Sequence, residues 1–157
     1  MTISSDSRTL EQRIDELESR AAITDIIAGY CEGTDRRDID RFMSIWHDDA
    51  EYLIPGGRGD FSGTDEIRRS QEVIGKVWKE TYHWTTNHTA HFQDADRATG
   101  RSDAFALCVH PDGRISWVGC TYHDVYERRS GSWKLARRLV ERYFVSAPQG
   151  VELLPPF

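Results

Sequence analysis

The segment TYHWTTNHTAHF, residues 81–92, carries three histidines within nine residues, and far from it Asp35 stands just after Gly33-Thr34. An imidazole with a carboxylate behind it suits the removal of a proton from carbon, because the carboxylate fixes which ring nitrogen carries the proton. Strand alternation places His83, Thr85, Asn87, Thr89 and His91 on one face and Trp84, His88 and Phe92 on the other. Polar side chains turned into a covered concavity must be hydrogen-bonded, so His83 and Asn87 are either a satisfied structural pair or a site. The three histidines do not suit one metal ion. His88 points away from the other two, and His83 and His91 lie about 27 Å apart at ~3.4 Å per residue. Asp35 also has a plain alternative, an exposed turn paired loosely to Arg36 or Arg37. Tyr30 precedes it by five residues, about 140° around an ideal helix, so the two converge only if the helix ends near Gly33.

The elements that must position these groups are legible as periodicities. Leu10, Ile14, Leu17 and Ala21, then Ile23, Ile26, Ile27 and Tyr30, recur at helical spacing and predict one long or slightly broken helix with a frayed start. Asp38 can cap a short second helix bearing Ile39, Phe42, Met43 and Trp46. A short strand in HDDAEYLIPGG follows, ending in a Pro-Gly-Gly turn. Thr64 can cap a third helix with Ile67, Gln71, Ile74, Val77 and Trp78 on its inner face. From there the period becomes two: residues 81–94, 101–110, 114–128 and 132–145 read as strands separated by DADRATG, HPDGR and RSGS. Helices segregated from an antiparallel meander predict an α+β domain whose sheet curls around the helical layer. Apolar residues on both strand faces, with Trp84, Ala90 and Phe92 on one side of theirs, predict a second covering, by a partner subunit.

Composition bounds the rest. A chain of 157 residues, 38% hydrophobic, has the size at which one domain buries its own core. We expect a flexible stretch over 1–9, a single domain over 10–145, and a proline-punctuated apolar tail over 146–157, lying on a pocket or a neighbouring subunit. The net charge of -6 comes from interspersed signs, which suggests neither a nucleic-acid groove nor a membrane patch. Three cysteines without CxxC spacing fit a reducing compartment, and with no apolar leader or span the expectation is a cytoplasmic protein. GGRGD lacks the spacing and context of a phosphate loop.

Three stretches together, SRAAITDIIAGYCEGTDRRDIDRFMSIWHDDAEY, HWTTN and DVYERRSGSWKLARR, resemble the SnoaL-like branch of the nuclear-transport-factor-2-like superfamily over about residues 10–145. The dehydrochlorinase members look nearest, with the scytalone and bile acid 7-alpha-dehydratases more distant. The resemblance implies a cone-shaped α+β barrel, a strongly curved mixed or antiparallel sheet around N-terminal helices. It also implies catalysis without metal or organic cofactor, and a homo-oligomer, with a trimer favoured. By motif position the family's aspartate falls on Asp35, its histidine on His83 and its pocket arginine on Arg138. The dehydrochlorinase pattern has lysine where this chain has Tyr30, whereas the dehydratases have tyrosine.

On this basis His83 is expected to act as general base, with Asp35 holding its tautomer. Tyr30 polarises or protonates a leaving oxygen, and Arg138 stabilises developing negative charge. Asn87, on the face of His83, orients substrate or histidine. Alternation assigns the cavity wall to Tyr52, to Trp78, to Ala104, Ala106 and Cys108, and to Val118, Cys120 and Tyr122. The expected reaction is loss of water, or less favourably HCl, from a small hydrophobic ring-containing substrate. The resemblance also allows an isomerase, a formaldehyde-releasing retro-aldol lyase, or a non-catalytic scaffold like a dioxygenase beta subunit.

Overall fold

Thr9 opens the first helix, α1 (Leu10–Asp35), in the computed structural model, which describes residues 8–56 and 59–151. The Gln12 backbone N–H donates to the Thr9 hydroxyl and the Thr9 N–H donates to the Gln12 side chain, so both orphan donors are satisfied. The helix does not end near Gly33 but runs unbroken to Asp35. Gly33 serves close packing instead. A Cβ there would stand 2.5 Å from the backbone nitrogen of Phe42, so only glycine lets α2 (Ile39–Ser44) approach this closely. Asp35 lies about 7.5 Å further along the axis than Tyr30 at ~1.5 Å per residue. That displacement carries it past the packed helix face to the start of the sheet, so no helix break is needed.

Asp38 caps α2 as expected, accepting the Arg41 backbone N–H at 2.9 Å. After α2 come β1 (Trp46–Leu53) and a three-residue β2 (Asp60–Ser62) that periodicity does not reveal. The third helix, α3 (Gly63–Val77), starts before the expected cap: Ser62 occupies that position without a side-chain bond, and Gly63 turns the chain at φ 77. Thr64 donates instead to the Asp48 carbonyl at 3.4 Å.

Four long strands complete the fold: β3 (Glu80–Phe92), β4 (Arg97–Val109), β5 (Ile115–Arg129) and β6 (Ser132–Val145). The sheet order is β2-β1-β6-β5-β4-β3, with β1 parallel to β6 and every other pair antiparallel. This is the α+β arrangement of N-terminal helices against a six-stranded mixed sheet. Strand β4 begins at Arg97, inside the expected turn DADRATG. Gly100 belongs to the ladder because a Cβ there would meet the Tyr126 ring at 2.7 Å.

One irregularity redirects a whole strand. Thr86 pairs with Asp103 and Thr89 with Arg101, so β3 carries an extra residue at a bulge, and Asn87 takes φ 53 within it. Facing reverses beyond that point. His83 and Thr85 turn inward before the bulge, and His88, Ala90 and Phe92 turn inward after it. Trp84, expected beside Ala90 and Phe92, is therefore on the outer face, 54% exposed, and His88 shares the inner face with His83.

The core gathers Ile23, Ile26 and Tyr30 from α1 with Phe42, Trp46 and Tyr52, and with inward residues of β4, β5 and β6 such as Tyr126 and Leu135. On the outer face, Phe105 stacks on Trp117 with ring centres 5.2 Å apart, and Phe144 is half exposed. The start of the C-terminal tail pairs with its own chain: Gln149 exchanges backbone hydrogen bonds with Ile115 at 2.8 and 2.9 Å. The apolar end of that tail, and residues 1–7 of the expected flexible start, lie outside the described residues. Among the described residues no helix is long and apolar enough to cross a membrane.

Candidate active site

The end of α1 and the start of β3 meet at one carboxylate. Asp35 accepts three hydrogen bonds: from the His83 backbone N–H at 2.7 Å, from the Thr81 hydroxyl at 2.9 Å, and from His83 Nδ1 at 2.6 Å. An ionised carboxylate only accepts, so the short contact places the imidazole proton on Nδ1. Nε2 is left as the basic atom, with no protein partner among the described residues, on a side chain that lines the main cavity. Both side chains are largely withdrawn from water, His83 at 11% and Asp35 at 17% exposure. The exposed-turn alternative for Asp35 is thereby replaced by a half-buried pairing.

The cavity holds about 480 Å³. Of the walls expected from alternation, Tyr52, Trp78, Ala106, Cys108, Val118, Cys120 and Tyr122 line it. Ala104 does not; it is buried in the core, one row away, opposite Thr85 and Cys120. Periodicity missed the lids and the far wall: Ile54 and Phe61 from β1 to β2, Val73 from α3, and Val140 and Arg142 from β6. Arg142 was within reach of the sequence, since it follows Arg138 at a spacing of four on a strand and so shares its face.

Tyr30 faces the cavity, its ring centre 5.9 Å from that of His83, and its hydroxyl lies 2.7 Å from the Tyr52 hydroxyl. One of the two phenolic protons lies between these oxygens. The other has no protein acceptor among the described residues and is free to donate into the cavity. Burial, reinforced by Tyr122 and Tyr52, pushes the Tyr30 phenol well above its ordinary value, against the opposite pull of Arg138. Burial likewise pushes Tyr52 up to about 12, although its bond to Tyr30 and the Arg138 charge lower it. Both therefore remain proton donors at neutral pH.

Two expected site residues are elsewhere. Arg138 is fully buried and does not line the cavity, because Asp124, its partner across the β5–β6 ladder, holds its guanidinium through bonds of 2.8 and 2.7 Å. The guanidinium is sandwiched behind the rings of Tyr30, at 4.4 Å, and Tyr122, at 4.3 Å. Its charge reaches the cavity only through those faces. Asn87, carried outward by the bulge, is exposed and donates to Asp103 at 2.9 Å, so it orients neither substrate nor histidine.

Cys108 and Cys120 are small apolar wall residues, and Cys31 packs against the core. Burial pushes the Cys108 thiol up to about 12 and Cys31 up to about 11, which keeps both protonated. Among the described residues no three His, Cys, Asp or Glu side chains gather as metal ligands would.

A half-buried, tautomer-fixed histidine, two neutral phenols and a mainly apolar chamber suit proton abstraction from carbon. Comparison with known proteins identifies the family. Residues 15–139 match the SnoaL-like domain. Hexachlorocyclohexane dehydrochlorinase 1 of Sphingobium indicum is 34% identical over 145 residues, covering 91% of this chain and 94% of that protein. The gamma-hexachlorocyclohexane dehydrochlorinase of the same species is 32% identical, covering 91% and 92%. Among solved structures, the LinA-type3 hexachlorocyclohexane dehydrochlorinase of Novosphingobium barchaimii superposes with a TM-score of 0.83 at 30% identity, over 92% of this chain and 99% of that one. The chain belongs to the SnoaL-like domain family and is an enzyme, a lyase like these relatives.

Proposed function

We propose that the protein is a cofactor-independent lyase that eliminates water from a small hydrophobic ring-containing substrate, with His83 as general base. The observation that carries this reading is the 2.6 Å contact of His83 Nδ1 with Asp35 at the wall of an apolar cavity. His83 Nε2 takes a proton from a ring carbon, and the C–H electron pair becomes the second bond of a new C=C. The neighbouring C–O bond breaks, and its pair leaves with the oxygen. The spare proton of the Tyr30–Tyr52 pair goes to that oxygen, so water departs. The proton held on His83 then returns to the phenol pair through solvent. Asp35 stabilises the imidazolium formed in the first step, and the Arg138 charge behind the Tyr30 ring offsets negative charge gathering on its oxygen.

Loss of HCl is the second reading, favoured by the names of the relatives. The phenol pair favours water, since a departing hydroxide needs a proton and a departing chloride does not. A panel of cyclic alcohols and chlorinated rings separates the readings by product mass and chloride release. The expected result is dehydration by the wild-type enzyme and at least a ~100-fold loss in His83→Ala. A migrated double bond with nothing released, or undiminished activity in the variant, would sink the proposal.

We further propose a homo-oligomer formed through the outer sheet face, with the trimer that the family resemblance implies. Its support is the apolar cluster of Trp84, Phe105 and Phe144 exposed there. Sedimentation equilibrium giving the monomer mass at micromolar concentration would refute this.

A further inference from the structure

Arg142 is the only Arg, Lys, Asp or Glu among the described residues that line the main cavity. Its guanidinium makes no ion pair there: the one contact is a long hydrogen bond of 3.4 Å from Nη2 to the Pro55 carbonyl. The adjacent Glu141 is engaged elsewhere, accepting from or facing His123 Nε2 at 2.7 Å. Gly56, at φ 91, would bring a Cβ to 3.2 Å of the same Nη2, so Pro55 and Gly56 lie directly against the arginine. A half-buried cation without an ion-pair partner among the described residues, in a chamber whose other polar lining is His83, two threonines and the phenols, favours an anion beside it.

The position of Arg142 sets where that anion sits. Arg142 pairs with Cys120, Cys120 with Ala104 and Ala104 with Thr85, two residues beyond His83. Three strand spacings of ~4.8 Å and the two-residue offset of ~6.8 Å along β3 put the arginine and the base about 16 Å apart along the curved sheet. A ring held across the chamber presents a C–H to one wall and a substituent to the other.

We propose that Arg142 selects a carboxylate, so that the substrate is a small ring-bearing carboxylic acid whose acid group lies at the β6 wall while its reacting carbon faces His83. This rests on the elimination reading for the reacting carbon only, and the carboxylate site stands on its own geometry. A planar guanidinium takes a carboxylate through two parallel N–H donors, which lysine does not reproduce.

Titration calorimetry with 2-naphthoate and its uncharged counterpart 2-naphthamide tests this without turnover. The wild-type enzyme is expected to bind the naphthoate on the order of tenfold tighter or more. Arg142→Gln removes the preference while leaving naphthamide binding within about twofold, Arg142→Lys keeps part of it, and His83→Ala keeps all of it. Equal affinity for both ligands in the wild type, binding of neither, or a preference that survives Arg142→Gln or disappears in His83→Ala overturns the proposal. Product release from the alcohol panel judges the elimination reading separately. Carboxylate preference without any elimination product would remove the mechanism and leave the recognition site.

Discussion

Replacing Asp35 by Asn is expected to lower turnover on the order of 100-fold or more, with the fold retained. The loss follows from the three donors around this carboxylate. The backbone N–H of His83 can only donate, so the amide must keep its oxygen at the position that now accepts it. The amide nitrogen then faces His83 Nδ1, where it too can only donate. The imidazole must accept at Nδ1 and carry its proton on Nε2, the atom that should take the substrate proton. The base is removed by the wrong tautomer, with its position unchanged. Nitrogen-15 spectra of labelled histidine read this directly, without a substrate: Nδ1–H in the wild type and Nε2–H in the variant. An unchanged tautomer together with unchanged turnover would show that Asp35 does not govern the base.

Arg138→Met is expected to destabilise the protein by about 3–5 kcal/mol, because it strands Asp124 as an unpaired buried carboxylate. For a chain of this size that corresponds to a fall of roughly 10 °C in Tm. The pair is fully buried on both sides, and Asp124 Oδ2 also accepts the Tyr126 hydroxyl at 2.7 Å, so the stranded charge keeps one partner only. Replacing both members, Arg138→Met with Asp124→Leu, should recover part of the loss, since an apolar pair avoids desolvation while the buried Tyr126 hydroxyl loses its acceptor. Urea unfolding of the two singles and the double gives the coupling. A single-variant cost below about 1 kcal/mol would contradict the burial. The double variant also separates position from chemistry. Arg138 touches the cavity only through the Tyr30 and Tyr122 rings, so a stable double variant should retain far more activity than Asp35→Asn does.

The two experiments bear on groups that were legible in the sequence to different degrees. His83 and Asp35 were both identified from residue type, periodicity and family resemblance, and they meet at one hydrogen-bonded pair. The helices, the long strands and the α+β class were equally plain, because helix and strand periods are local properties that need only neighbouring residues. Cavity residues on regular stretches followed with them: Ala106 and Cys108 on β4, and Val118, Cys120 and Tyr122 on β5, alternate as expected and do line the chamber.

Facing and partners were decided only in three dimensions. A single extra residue in β3 shifted every later side chain to the opposite face, sending Asn87 out and His88 in, and nothing in TTNHT marks that insertion beyond an asparagine that tolerates positive φ. Arg138 looked like a pocket cation until the β5–β6 register placed Asp124 opposite it; register depends on turns and on the packing of the whole sheet, not on the residues beside the arginine. Arg142, four residues on and on the same strand face, lines the cavity instead, with Cys120 and no carboxylate opposite it to lock it away. Local periodicity named the elements and the family resemblance named the acid–base pair, whereas pairing between distant strands determined which charges are locked away and which remain available to a ligand.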